Sequence, residues 1–358
     1  MRALVFHEPG KIAVESIPDP AVGPGEALLR VGAAGVCASD LRVFRGEKYA
    51  APGVVPGHEF AGAVVERGRD VDNLDIGDRV AVYPIIACGR CHFCRRGLRN
   101  RCVRRETLGY DRNGGLAEFV LLPAAIVRQG QAMPLPDGLP FERGSMTEPT
   151  ACVLNSLEAC RLRAGASLAV LGAGPMGLLH LVLARALGAG PIVVAEPVAS
   201  RRALAADLGA TAVTGADPDE VKSAVHDATH GHGADVVIVS VGLAGLAETA
   251  LQLAAKQASI NLFAGFPPQT TAALDVNYLH YNEIALLGTQ NATPDQFLRT
   301  TALLPSLPAL DRLITHRFDM AEAVQSYAVR DQPSALKTVV LPHPGSEQAK
   351  SRSAKGGA

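Results

Sequence analysis

Short apolar and alternating runs open the chain, cut apart by glycine, proline and aspartate: "RALVF", "EALLRVGAAGV", "FAGAVVERG", "DRVAVYP" and "AEFVLLP". Runs of this length with that punctuation predict strands and turns, so residues 1–150 read as a β-rich, loop-rich body. The pattern changes near residue 151. From there "LAVLG" (168–172), "IVVAE" (192–196), "TAVT" (211–214), "DVVIVSV" (235–241), "SINLFA" (259–264) and "IALLG" (284–288) alternate with alanine-rich helical stretches. Six such strands with helices between them predict an α/β body, a parallel sheet covered on both faces. After about residue 289 the pattern turns irregular, then ends in "LKTVVLP", a further strand. The tail 343–358 offers no large apolar side chain and predicts disorder. No internal repeat is visible.

Length and composition narrow the class. At 358 residues the chain exceeds one ordinary core and suggests two domains, in tandem or with one inserted in the other. With 34 basic against 35 acidic residues, it shows no electrostatic footprint for nucleic acid or an anionic membrane. Residues 168–184 are uncharged, but three glycines and a proline fall in their first ten positions and the stretch is short for a membrane span. The opening "MRALVFHEPGKIAVESIP" breaks into polar and proline positions too soon for a secretory signal. A cytoplasmic protein with reduced thiols is expected.

That expectation bears on "ACGRCHFCRRGLRNRC" (87–102), where four of seven cysteines gather. An odd cysteine total and a reducing compartment argue against a disulfide framework. Cys88, Cys91, Cys94 and Cys102 instead supply four soft thiolates that a short loop can wrap around one tetrahedral zinc. Arg90, Arg95, Arg96, Arg99, Arg101, Arg104 and Arg105 would offset the negative charge of such a site. An iron–sulfur cluster is the alternative. Four ligands leave no open position, so this site is structural.

"VLGAGPMG" places Gly172, Gly174 and Gly177 after a strand and at the mouth of a helix, with Pro175 and Met176 between the last two. Glu196 ends the next strand nineteen residues beyond Gly177. This is the dinucleotide pattern: glycines for the tight turn, for approach of the pyrophosphate and for helix-on-strand packing, with the helix N-terminus facing the phosphates. A carboxylate at Glu196 accepts from a ribose 2′-hydroxyl and repels a 2′-phosphate, which favours NAD over NADP. Arg201 and Arg202 follow closely and would soften that preference unless they are simply solvated on a helix face.

A second set of metal donors is scattered. "GVCASD" offers Cys37, Ser39 and Asp40, "PGHEF" offers His58 and Glu59, and "MTEPTAC" offers Glu148 and Cys152. Each has a bland explanation alone; together, beside a nucleotide fold, they suggest a mixed zinc site with one position open. With these motifs in this order, and "GDRVAV" among them, the chain resembles the zinc-dependent medium-chain dehydrogenase/reductases of the alcohol dehydrogenase superfamily over about residues 1–342. "MTEPTAC" and "NLFAGFPP" resemble the polyol, sorbitol and threonine dehydrogenase branch.

The resemblance implies a GroES-like catalytic domain (1–150, returning at 289–342) and an inserted Rossmann domain (151–288). It implies a catalytic zinc at Cys37 and His58, with Glu59 and Glu148 as ligands or exchanging with water, a structural zinc in the cysteine lobe, and NAD. Ser39 matches a proton-relay hydroxyl and Asp40 a carboxylate that orients the histidine ligand. Where many relatives carry a relay histidine this chain has Arg42, which cannot shuttle a proton; a polar or anionic substrate contact is one role for it. His226, His230 and His232 read as loop residues, and Cys152 as a core thiol. The expected activity is hydride transfer from a secondary alcohol of a polyol, sugar or cyclitol to NAD. Threonine-like oxidation of a β-hydroxy amino acid is the near alternative. A non-catalytic zinc- or nucleotide-binding protein and a zinc-free quinone reductase are the distant ones. The resemblance also implies a homodimer or homotetramer, with no nucleic-acid or membrane partner.

Overall fold

A computed structural model describes residues 1–343; the disorder expected of the tail falls, His343 apart, outside the described residues. The chain divides into two compact units. The first takes Met1–Glu148, Thr293–Pro305 and the chain from Ile314 onward; the second takes Pro149–Ala292 and Ser306–Leu313. The piece Ser306–Leu313 lies in the span that the sequence assigns to the first body. It buries Leu310 and Leu313, and Arg312 pairs with Asp207 of the second unit at 3.0 Å.

The first unit is built on a seven-stranded sheet. Its order is Ile314–Asp319, Lys337–Leu341, Ala27–Val36, Glu59–Arg67, Arg79–Val82 and Ala132–Pro134, with Phe119–Leu122 also pairing to Ala27–Val36. Ala27–Val36 is buried along nearly its whole length, which explains its near-continuous apolar sequence. Several strands escape the sequence pattern, the short Ile85–Ile86, Glu106–Thr107 and Ala132–Pro134 among them. Lys11–Ser16, which pairs with Arg2–Glu8, is half-buried between exposed ends and has no clean apolar face. Ile314–Asp319 lies at the sheet edge, where "ITHRFD" can stay polar.

The second unit holds a six-stranded sheet, all parallel. Its order is Ala212–Thr214, Ile192–Ala195, Leu168–Leu171, Ala234–Val239, Ala254–Leu262 and Ala285–Gly288. The first strand in sequence sits at the centre and the order reverses beside it, the doubly wound arrangement of dinucleotide folds. The helix Pro175–Ala186 follows that strand and buries Leu178, Leu179, Leu181, Val182 and Leu183, each contributing about 1.5–3 kcal/mol of transfer free energy.

The same helix carries a fully buried histidine. His180 Nδ1 donates to the Met176 carbonyl at 2.7 Å, and Nε2 accepts from the Ser156 hydroxyl at 2.9 Å. Ser156 Oγ accepts in turn from Asn261 Nδ2 at 2.6 Å. One donor and one acceptor are what a neutral imidazole offers, and burial pushes its pKa down to about 4. No helix among the described residues is long and apolar enough to cross a membrane.

Candidate metal and cofactor sites

Strand register assembles the first metal cluster. Gly35, near the end of Ala27–Val36, pairs with Glu59, the first residue of Glu59–Arg67. Cys37 just past one strand and His58 just before the other therefore meet across the ladder. The ligand atoms of Cys37, His58 and Glu59 lie within 4.8 Å of one another. Gly35 is needed for close approach, since a Cβ there would sit 2.5 Å from Glu59 Oε2.

Asp40 braces this cluster. It lies in the first turn of the helix Ala38–Phe44, where Oδ2 accepts the Cys37 backbone N–H at 2.8 Å and Oδ1 stands 3.3 Å from His58 Nδ1. Burial alone would push the His58 pKa down, but the carboxylate of Asp40 and the neighbouring Cys37 hold it well above its ordinary value. A residue that the sequence does not single out completes the arrangement. Lys337, at the start of Lys337–Leu341, pairs with Glu59 Oε2, and both side chains are buried. Glu59 Oε1 is buried and has no hydrogen-bond partner. One carboxylate oxygen serves the lysine and the other is left over. A thiol, an imidazole and an orphaned carboxylate oxygen fit zinc with a fourth position open.

Around the cluster, Ser39 Oγ and Tyr110 Oη lie 2.6 Å apart, and the Tyr110 ring is 5.1 Å from that of His58. Burial raises the Tyr110 pKa well above its ordinary value. Lys48 Nζ stands 3.6 Å from the Tyr110 ring centroid. Arg42 pairs with Glu47 of its own loop at 3.4 Å. Glu148 stands outside the three-ligand cluster, though its charge acts on Lys48 and Tyr110. Cys152 and the histidines at 226, 230 and 232 belong to no ligand cluster among the described residues. An open cavity of about 390 Å³ between Phe6, His7, Pro9, Tyr49 and Pro52, with Lys48 in its wall, holds none of the three ligands.

The cysteine lobe is a second cluster, with the sulfurs of Cys88, Cys91, Cys94 and Cys102 within 4.8 Å of one another. Its own core is little more than Ala87 and the thiols. Cys91 and Cys94 sulfurs are 3.5 Å apart, and the N–H groups of Cys88 and Arg104 donate to Cys102 at 3.3 and 3.4 Å. The Arg90 N–H draws the Cys88 pKa down to about 6, whereas burial pushes Cys94 up to about 12. A divalent cation at the centre would make all four thiolates, and the inward N–H groups suit that charge.

In the second unit, Gly172 has φ +101°, a left-handed conformation that favours glycine. A Cβ at Gly177 would strike the Gly172 carbonyl oxygen at 1.9 Å, whereas one at Gly174 would meet nothing within 4 Å. Gly174 thus faces open space at the helix mouth, room of the kind a pyrophosphate needs, with Pro175 as the first helical residue. Glu196 is buried beside this loop: Oε2 accepts the Ala173 N–H at 2.7 Å and Oε1 the Val198 N–H at 3.0 Å. Arg202 is turned back onto the carbonyls of Glu196 and Pro197 at 2.8 and 2.7 Å.

Two family profiles match the chain, "alcohol dehydrogenase GroES-like domain" over residues 23–137 and "zinc-binding dehydrogenase" over residues 175–305. The chain is 32% identical to the L-threonine 3-dehydrogenase of Pyrococcus horikoshii over 327 residues, 89% of this chain and 91% of that protein. It is 30% identical to the sorbitol dehydrogenase of Halalkalibacterium halodurans over 354 residues, 96% of this chain and 99% of the relative. Its fold matches a crystal structure from Sinorhizobium meliloti 1021, provisionally named a zinc-binding dehydrogenase and bound to NADP. The TM-score is 0.88 at 32% identity, over 95% of this chain and 99% of that one.

Proposed function

Because the chain belongs to the zinc-dependent medium-chain dehydrogenase/reductases, in their polyol and threonine dehydrogenase branch, we propose that it oxidises a secondary alcohol of a polyol, sugar or cyclitol with NAD as hydride acceptor. It is an oxidoreductase that uses zinc and a nicotinamide cofactor. One observation supports the zinc chemistry: ligand atoms of Cys37, His58 and Glu59 lie within 4.8 Å of one another, and Glu59 Oε1 is buried without a hydrogen-bond partner.

Cys37, His58 and Glu59 would hold one zinc, with Glu148 farther out; the four cysteines of the lobe would hold a second. When bound, the catalytic zinc acts as a Lewis acid that lowers the pKa of a substrate hydroxyl. The chain's own residues do the rest. Asp40 Oδ1, 3.3 Å from His58 Nδ1, is placed to orient the imidazole and leave Nε2 for a metal. Lys337 pins one oxygen of Glu59 and so aims the other. Ser39 would receive the hydroxyl proton as it releases its own toward Tyr110 Oη, and Tyr110, kept neutral by its high pKa, would release its phenolic proton in turn to water rather than store charge. In the second unit, the carboxylate of Glu196 beside the glycine turn supports NAD, since a 2′-phosphate there would meet a negative charge. Arg202, which would answer that phosphate, is occupied with backbone carbonyls.

The similarity to a threonine dehydrogenase favours a second reading, oxidation of a β-hydroxy amino acid. Zinc-loaded protein is assayed for reduction of NAD and of NADP with sorbitol, xylitol, myo-inositol, 2,3-butanediol, 3-hydroxybutyrate and L-threonine. NAD reduction with a polyol or cyclitol is the expected result. Turnover of threonine alone selects the second reading. Absence of reduction with every alcohol, in protein shown to contain zinc, refutes the proposal.

A further inference from the structure

The pocket segment 42–56 contains three cations, Arg42, Arg45 and Lys48. Two of them are spent: Arg42 pairs with Glu47, and Arg45 pairs with Asp331. Lys48 has neither an ion pair nor a hydrogen bond among the described residues. Its ammonium is laid on the Tyr110 ring at 3.6 Å, a cation–π contact. The other contacts of that ring lead straight to the chemistry. Tyr110 Oη bonds Ser39 Oγ, and the ring centroid is 5.1 Å from that of His58. Ammonium, phenol and ligating imidazole therefore stand in series.

The charges nearby do not neutralise this cation. Cys37 faces the metal cluster, and Asp40 accepts the Cys37 N–H with Oδ2 while Oδ1 lies 3.3 Å from His58 Nδ1. Glu148 acts on Lys48 through its charge, the weakest of the influences on that ammonium. Arg105 adds a further positive charge in range, its guanidinium donating to the Asn100 carbonyl rather than to a carboxylate. Packing around the ammonium lowers the Lys48 pKa, a mark of partial removal from water. The residue as a whole is nonetheless exposed, so a ligand can reach it. A partly desolvated cation lacking a protein anion is a receptor for a ligand's anion.

We propose that Lys48 is a specificity residue that selects an anionic secondary alcohol, its ammonium receiving a carboxylate or phosphate of the substrate while the reacting hydroxyl faces Cys37, His58 and Glu59. The inference rests on the dehydrogenase reading and sharpens it: among polyols and sugars the phosphorylated or acidic forms are preferred. A neutral polyol leaves the cation unpaired; an anion pairs it and orients the chain of the substrate along the Tyr110 face.

The test uses zinc-loaded wild type, Lys48→Met and Lys48→Arg, each assayed for NAD reduction with arabitol phosphate, 3-hydroxybutyrate and neutral arabitol. Wild type is expected to prefer one of the two anions over arabitol, and which one it prefers distinguishes phosphate from carboxylate. In Lys48→Met the ratio of kcat/KM for that anion to kcat/KM for arabitol falls at least ten-fold, which corresponds to about 1.4 kcal/mol. The fall comes through KM rather than kcat, and Lys48→Arg recovers most of it. Zinc content, measured on the same samples, stays equal across the three proteins. A wild type that prefers arabitol, or a ratio unchanged in Lys48→Met, overturns the inference and leaves the dehydrogenase reading standing. That reading fails separately, when no alcohol of the wider panel reduces either cofactor, and the inference then falls with it.

Discussion

Lys337→Met probes the buried ion pair that holds Glu59 of the metal cluster. Lys337 and Glu59 are 2% and 1% exposed, so neither charge has water to fall back on. Removing the ammonium strands a buried carboxylate whose other oxygen is already unpartnered. Breaking such a pair from one side costs about 3–5 kcal/mol. At roughly 2–4 °C per kcal/mol, the melting temperature of metal-free protein should drop by about 6–20 °C. Removing both charges, in Glu59→Gln/Lys337→Met, leaves no stranded ion and should recover about 2 kcal/mol relative to the sum of the single variants. Zinc changes the result in a defined direction. With a second cation against Glu59, the loss in Lys337→Met should be smaller in zinc-loaded than in metal-free protein. Urea unfolding of the four proteins of the cycle, with and without zinc, measures each quantity. Strictly additive single variants, or a metal-free Lys337→Met within about 1 kcal/mol of wild type, would show that the pair does not hold Glu59 in place.

Three further outcomes are expected. His180 has a folded pKa near 4, below its ordinary 6.5, so the unfolded chain takes up a proton that the folded ring refuses. Stability from this group is fully present above about pH 6.5 and falls by about 1.4 kcal/mol per unit down to about pH 4. Unfolding free energies from urea titrations at about pH 7 and about pH 5 should therefore differ by about 2 kcal/mol more in wild type than in His180→Gln; equal differences exclude the buried neutral ring. At the glycine turn, Gly174→Val should keep its melting temperature yet bind NAD at least ten-fold more weakly by calorimetry. Gly177→Ala, which meets a carbonyl at 1.9 Å, should lose about 1–3 kcal/mol of stability; the reverse ranking contradicts the placement of the cofactor. Cys102→Ser should bind one zinc fewer and melt earlier, because the lobe has almost no core besides its thiols; unchanged zinc content means that the loop is not a metal site.

What the sequence made legible is what lies close along the chain. The four cysteines sit within fifteen positions, and the glycine turn is one string between a strand and a helix, so spacing alone points to the chemistry. The parallel sheet was equally plain, because strands buried on both faces read as unbroken apolar runs. Contacts between distant segments leave no such trace. Lys337 meets Glu59 across 278 residues, and its only mark in the sequence is a lysine opening an otherwise apolar strand. Tyr110 reaches Ser39 from 71 residues away out of an irregular loop. Arg42 was one candidate for contacting a polar or anionic substrate because it stands where many relatives carry a relay histidine. The loop turns it onto Glu47 and lays Lys48 on Tyr110 instead, a matter of rotamers and loop path that spacing does not encode. Edge strands were missed for a related reason, since a strand with water on one side and no partner beyond it need not alternate.

The account stands or falls with the three-residue metal cluster, and zinc content per chain tests it most directly. Wild-type protein, purified without chelator and analysed by mass spectrometry of the metal, should contain two zinc ions per chain. Cys37→Ser should contain one, keep the lobe's zinc, and lose NAD reduction with every alcohol. A wild type that holds only the lobe's zinc yet oxidises alcohols, or a Cys37→Ser variant that keeps both ions, would contradict it.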